Sequence, residues 1–226
     1  QNIVMKYDQG TQTEVKDNDG NITSYEMTFA GNGGKLTFGD GVVFLKHNDE
    51  TMKPTVYGGS LNGSNLTTTT ESIVVLNSGT FTAVYGAGTK AQNCASAVSM
   101  PVDSTAVVEK LFGAGTGEGT VEGNVTVNVS GGTINSPIYG GGEGADVTGN
   151  TTVTVSGGIV PKSATEKADN PATPTSVYGG GKGATVGGTS SVTVTLPNND
   201  AEDHRVFKMG TISGAGTDNN GELKEN

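Results

Sequence analysis

A short motif, an aromatic residue followed by glycine and other small residues, recurs along the chain at a nearly constant interval. It reads VYGGS at Val56 to Ser60, VYGAG at Val84 to Gly88, LFGAG at Leu111 to Gly115, IYGGG at Ile138 to Gly142 and VYGGG at Val177 to Gly181, and a sixth copy, ISGAG, begins at Ile212. Tyr57, Tyr85, Phe112, Tyr139 and Tyr178 are spaced by 28, 27, 27 and 39 residues, and Ser213 follows Tyr178 by 35. A unit of about 27 residues with insertions of about 12 and 8 accounts for every interval, which is the mark of a repeat architecture. The insertions are visible as PKSATEKADNPATP, Pro161 to Pro174, and PNNDAEDHR, Pro197 to Arg205. Both are polar, charged and punctuated by proline, as loops are.

A second motif runs in phase with the first. It is NVTVNVSGGTI at Asn124 to Ile134 and NTTVTVSGGIV at Asn150 to Val160, shortened to SSVTVT at Ser190 to Thr195 and decayed to SIVVLNSGTF at Ser72 to Phe81. Val125, Val127 and Val129 alternate with Thr126 and Asn128, and Val153 and Val155 with Thr152 and Thr154. A period of two means a strand with one buried face and one wet face. The SGG that follows tolerates positive φ at a corner, and Thr133 to Tyr139 reads as a further strand leading into the YGGG corner. A unit this short cannot bury its own apolar side. Stacked copies can: each strand pairs with its equivalent one coil on, at about 4.8 Å, and the valine columns close into a narrow core.

The expected fold is therefore all-β, a single-stranded right-handed parallel β-helix (β-solenoid) with coils of about 27 residues. A kelch-type propeller also uses glycine and aromatic punctuation, but one of its blades needs about 40 to 50 residues. Residues 51–226 are assigned to the helix, with loop insertions near 161–174 and 197–205. Residues 1–50 match the repeat poorly and are expected to form an N-terminal cap and irregular first coil, within which Asn21 to Phe29 and Gly34 to Leu45 alternate as strands do. A cap is needed because an open solenoid end is an aggregation edge. The sixth copy runs directly into TDNNGELKEN, so the chain is expected to be a module joined to further domains of a longer protein.

Composition agrees. The chain has 25 Val against 8 Leu, which excludes helical bundles and leucine-rich repeats. Its formal net charge is −10, and Arg205 is the only arginine. Phosphate backbones and anionic membranes are poor partners for such a surface, so neither nucleic-acid binding nor membrane insertion is expected. No apolar run approaches the roughly 20 residues of a membrane span, and no charged-then-apolar leader opens the chain, which is read as a mature or trimmed one. The lone Cys94 has no intrachain partner and reads as a small hydrophobe. The Gly/Thr/Asn/Ser balance points to an exported protein.

The stretches IYGGGEGADVTGNTTVTVSGGIV and VYGGGKGATVGGTSSVTVT resemble the glycine-rich coils of adhesin-like, right-handed β-helix surface proteins of bacteria, particularly of gut anaerobes. The likeness covers residues 56–216. It implies an extracellular or cell-surface, non-enzymatic module that binds a glycan or a protein of a host or neighbouring cell through its faces and insertion loops. Fold analogy of this kind is a prior on function and no more.

The candidate binding residues are two outward columns, Thr126, Thr152 and Ser191 beside Asn128, Thr154 and Thr193, together with Lys162, Glu166 and Lys167 in the first insertion. Regular threonine arrays also occur on ice-binding solenoids, a minor alternative here, although threonine is simply what exposed strand positions favour. The larger alternative is a polysaccharide lyase or hydrolase, since such enzymes use β-helices and clustered carboxylates. The acids Asp103, Glu109, Glu118, Glu122, Glu143 and Asp146 fall at different positions of the repeat, however. Aligning the coils on the aromatics places Thr89, Thr116, Glu143, Lys182 and Thr217 in one column, with Glu143 facing Lys182. That pair reads as an exposed structural contact rather than a dyad.

No cofactor is expected. Asp200, Glu202 and Asp203, with His204, are the weak candidates for a Ca²⁺ site. His47 and His204 stand in no metal-ligand spacing. Asp17, Asp19 and Asn21 around Gly20 read as a β-turn, because the glycine comes too early for a calcium loop and no glutamate follows at the right distance.

Overall fold

The computed structural model describes residues 3–5, 11–45, 51–61, 66–90, 92–158, 175–195 and 209–219. Every regular element among them is a β-strand, and the strands stack into parallel ladders running from coil to coil, so the fold is a parallel β-solenoid. The coil from Leu111 contributes in turn an aromatic strand, a glycine corner, a short strand, a long strand and a second short strand, and in the coil before it the first short strand and the long one are continuous.

The aromatic ladder stacks Ile22–Ala30, Thr55–Tyr57, Ala83–Tyr85, Leu111–Phe112, Ile138–Tyr139, Thr175–Tyr178 and Met209–Ser213. Its register places Tyr57, Tyr85, Phe112, Tyr139, Tyr178 and Ser213 in one column, as the spacing predicts. The long ladder stacks Lys35–Phe38, Leu66–Leu76, Gln92–Met100, Val125–Val129, Thr151–Val155 and Ser190–Val194. Val74, Val98, Val127 and Val153 lie in register on its inner face and are fully buried. The second short ladder stacks Thr80–Phe81, Val107–Val108 and Thr133–Ile134. Thr133 to Tyr139 is thus two strands and not one. The same interruption recurs at Thr82 and at Glu109–Lys110, where no proline stands, so it is a corner at which the coil passes from one ladder to the next and not an effect of Pro137.

Two kinds of glycine shape the corners. Gly132 and Gly158, in the SGG motifs, have φ of 76° and 94°, the positive values expected of them. The glycine after each aromatic is needed for a different reason. A Cβ on Gly58, Gly86, Gly113, Gly140 or Gly179 would overlap the carbonyl oxygen of the equivalent glycine one coil on. Backbones stack so closely there that no side chain fits between them.

The N-terminal segment departs from the coil pattern in two ways. Thr11–Lys16 pairs antiparallel with Ile22–Ala30 and is the outermost strand of the aromatic ladder among the described residues. The connecting turn forms as expected: the Gly20 N–H donates to the Asp17 carbonyl at 3.1 Å, and Gly20 has φ 84°. Asp17 Oδ1 accepts from the N–H groups of Asp19 and Asn21 at 3.0 and 2.9 Å, which holds its carboxyl below the usual range, led by the Asn21 bond. Inside, the narrow valine core widens into a plug of Phe29, Phe38, Phe44 and Phe81, with ring centroids 5.0–5.7 Å apart. The insertions at 161–174 and 197–205 lie outside the described residues, apart from their flanking strands.

Candidate functional site

The outward face of the long ladder carries the first candidate. Strand alternation sends Val125, Val127 and Val129 inward, so Thr126 and Asn128 must point outward. The register then aligns Thr126 with Thr152 and Ser191, and Asn128 with Thr154 and Thr193. All six are exposed or half-buried. They form two columns of short, neutral hydrogen-bonding side chains, about 4.8 Å apart from coil to coil and about 6.6 Å apart along each strand. Ser130 and Ser156 extend the grid by one column, with their hydroxyls 2.9 Å apart.

The same columns continue toward the N-terminus as Ala97, Ile73 and Lys35, and as Ser99, Val75 and Thr37. There the face turns from polar to partly apolar. The decayed SIVV copy is the sequence signal for this change, because it puts Ile73 and Val75 where the later coils have alanine, threonine, serine or asparagine.

The inner edge of this ladder is fastened by hydroxyls. Ser96 Oγ donates to the Gly113 carbonyl at 2.8 Å, and Thr151 Oγ1 to the Gly179 carbonyl at 2.6 Å, each bridging the long strand to a glycine corner. Ser72 aligns with Ser96 one coil earlier. Its buried hydroxyl has no partner among the described residues.

The second candidate is the aromatic column. Tyr57, Tyr85, Phe112, Tyr139 and Tyr178 stack face to face with successive centroid distances of 5.0, 5.3, 4.9 and 5.0 Å. They form a cluster of their own, separate from the valine core. The Tyr85 hydroxyl donates to Glu143 Oε2 at 2.5 Å, and the other oxygen of that carboxylate faces Lys182 Nζ at 3.4 Å. Burial pushes the Tyr85 phenol far above the usual range, and the bond to Glu143 adds to the effect. Burial also raises Tyr57 and Tyr139. Tyr139 Oη lies 3.3 Å from Thr217 Oγ1. The Glu143–Lys182 pair expected from the alignment is present, but half-buried and tied to a ring two coils away, which spacing alone does not reveal.

A third polar group was not foreseen. Glu109 receives Lys53 Nζ on Oε1 at 3.0 Å and Asn135 Nδ2 on Oε2 at 3.1 Å, linking residues from three different coils. The remaining acids stay apart. Asp103, Glu118 and Glu122 are exposed, and Asp146 Oδ1 accepts the Thr185 N–H at 2.7 Å. Among the described residues no three acidic, histidine or cysteine side chains gather as metal ligands do. Lys162, Glu166, Lys167, Asp200, Glu202, Asp203, His47 and His204 all lie outside the described residues.

No protein-family model, no curated protein and no solved structure matches the chain.

Proposed function

We propose that the chain is a non-enzymatic module of an adhesin-like bacterial surface protein, exposed outside the cell, that binds a glycan or protein ligand. The observation that carries this reading is the in-register outer grid of Thr126, Asn128, Thr152, Thr154, Ser191 and Thr193. It is neutral and open to solvent, and it is held in place by a sealed valine core. Short hydroxyl and amide side chains lose little rotamer freedom on binding and both donate and accept hydrogen bonds, which suits the hydroxyl-rich surface of a sugar. The best-positioned ionisable groups favour a structural role. Glu143 is engaged by Tyr85 and Lys182, and Glu109 by Lys53 and Asn135, so their polar atoms serve neighbouring coils. Right-handed winding belongs to this proposal, as the hand that parallel crossover connections favour.

The test is a glycan and glycoprotein array read with the wild-type chain and with Thr154→Lys, alongside cleavage assays on pectin and mucin. Thr154→Lys places a bulky charge at the centre of the grid and is expected to reduce retention at least about tenfold, equivalent to roughly 1.4 kcal/mol. Release of new sugar ends that disappears in Glu143→Gln would establish the polysaccharide-degrading alternative instead. Retention unchanged by Thr154→Lys would move the binding surface elsewhere, and suppressed ice growth would favour the ice-binding alternative.

A further inference from the structure

We propose that the aromatic column is redox-active: Tyr57 and Tyr85 together yield one electron to a one-electron oxidant, while the phenolic proton of Tyr85 passes to Glu143. This activity is independent of what the outer grid binds.

An oxidised phenol is a strong acid, so a tyrosine gives up an electron readily only where a base stands within hydrogen-bond reach of its hydroxyl. Tyr85 meets that condition, with its hydroxyl bonded to Glu143 Oε2 at 2.5 Å. Lys182 holds the other carboxylate oxygen at 3.4 Å and fixes the orientation of the acceptor. The Tyr85 ring is only 6% exposed, so a diffusing oxidant does not meet it directly. Tyr57 is half-buried at the N-terminal end of the stack, and its ring lies parallel to that of Tyr85 at 5.0 Å, with an interplanar angle of 7°. It is the point of entry, and Tyr85 is where the radical settles.

Phe112 limits the unit on the other side. It continues the stack at 5.3 Å from Tyr85 but has no O–H, so it cannot couple electron loss to proton loss. Beyond it, Tyr139 and Tyr178 form a second stacked pair. There Tyr139 meets the Thr217 hydroxyl, which is no base. One column therefore contains two tyrosine pairs, and the carboxylate bonded to a tyrosine hydroxyl, Glu143, belongs to the first. The step balances as follows. The oxidant gains one electron, the Tyr85 O–H bond breaks, and the proton forms a bond to Glu143 Oε2, leaving a neutral tyrosyl radical beside a carboxylic acid. A one-electron reductant, such as a thiol, reverses it.

The experiment is flash oxidation, with a photogenerated ruthenium(III) polypyridyl and persulfate, of a chain in which the two tyrosines outside the repeated motif are replaced, Tyr7→Phe and Tyr25→Phe. Electron paramagnetic resonance measures the radical yield, and transient absorption its rate of formation. Tyr85→Phe preserves the stack, since Phe112 already occupies the equivalent position one coil on, and is expected to lose most of the tyrosyl signal. Glu143→Gln keeps the side-chain size and is expected to slow radical formation at least about tenfold and to change its solvent deuterium isotope effect. A full radical yield in Tyr85→Phe, or an unchanged rate and isotope effect in a Glu143→Gln chain whose circular dichroism is native, would overturn the proposal.

Discussion

Replacing Gly113 with alanine tests whether coil spacing is set by bare backbone at the aromatic corner. A Cβ there would overlap the Gly140 carbonyl oxygen and sit 2.6 Å from Val125 Cγ1 and 2.7 Å from Val127 Cγ2. Ordinary carbon contacts lie near 3.5–4.0 Å, so coil and valines must separate by about 1 Å. Overpacking of a core costs about 1–3 kcal/mol, and the upper end applies because one obstacle is backbone and cannot rotate away. The Gly113 N–H donates to the Tyr139 carbonyl at 2.8 Å, and stretching that bond adds up to about 1 kcal/mol. Reduced freedom of the unfolded chain returns about 0.4–1 kcal/mol. The net expectation is a loss of about 3 kcal/mol, or about 6–12 °C in Tm for a chain of this size. Gly39→Ala is the control, because its Cβ would meet nothing within 4 Å and its φ is not positive. That substitution should be neutral or stabilising by up to about 1 kcal/mol. Urea unfolding is followed by far-ultraviolet circular dichroism and by the near-ultraviolet signal of the stacked tyrosines, whose coincidence checks for a single transition. If Gly113→Ala and Gly39→Ala unfold at the same midpoint, close backbone approach is not what fixes the corner.

Ser96→Ala should cost about 1–2 kcal/mol, because it strips a buried carbonyl of its partner, whereas Ser72→Ala at the equivalent place one coil earlier should be neutral or stabilising; equal losses in urea titrations would contradict this. Burial works to raise the Glu109 carboxyl, but the bonds from Lys53 and Asn135 outweigh it and leave the group below its ordinary 4.5. Its stabilisation is therefore present above that value and lost as the pH falls through the lower folded one. Lys53→Met should remove this part of the acid slope, by no more than about 1 kcal/mol for a partly exposed pair, and an identical slope in the two chains would refute the assignment. Burial lifts the phenols of Tyr57, Tyr85 and Tyr139 above 10.0. That contribution is intact below pH 10.0 and lost as the pH rises beyond it, so tyrosine ionisation and unfolding should coincide in an alkaline titration followed by absorbance and circular dichroism. All the tyrosines ionising at the ordinary value with the β-signal intact would be incompatible with a buried column.

What the sequence makes legible is whatever repeats. The aromatic interval predicts the stack of Tyr57 to Tyr178, and the valine alternation predicts that Val127 lies beside Val153 and that Thr126 and Thr152 share an outer column. Both follow because a parallel solenoid superimposes equivalent positions, so spacing along the chain becomes adjacency in space. The corner between Ile134 and Ile138 is less legible: it recurs at Thr82 and at Glu109–Lys110, and no shared turn residue marks it in the three coils. The change from polar to apolar along the outer face is written in SIVV, where the repeat drifts and the face drifts with it.

Contacts that skip a coil are a different matter. Tyr85 reaches Glu143 across 58 residues and Lys53 reaches Glu109 across 56, two units in each case. Alignment of the repeat shows which residues share a column, but not how far a long side chain leans along the stack. Such pairs also sit at positions that vary from coil to coil, so no recurrence draws attention to them. The phenylalanine plug is hidden for a related reason: Phe29, Phe38 and Phe44 precede the first regular coil and belong to no shared motif, and Phe81 ends the decayed SIVVLNSGTF copy, where the later coils carry Val108 and Ile134. Closing a solenoid requires breaking its repeat, because a cap that matched the coil would only present another open edge. The irregular segment and the coil-specific polar pairs are therefore where a repeat sequence says least, because neither is tied to a position that recurs.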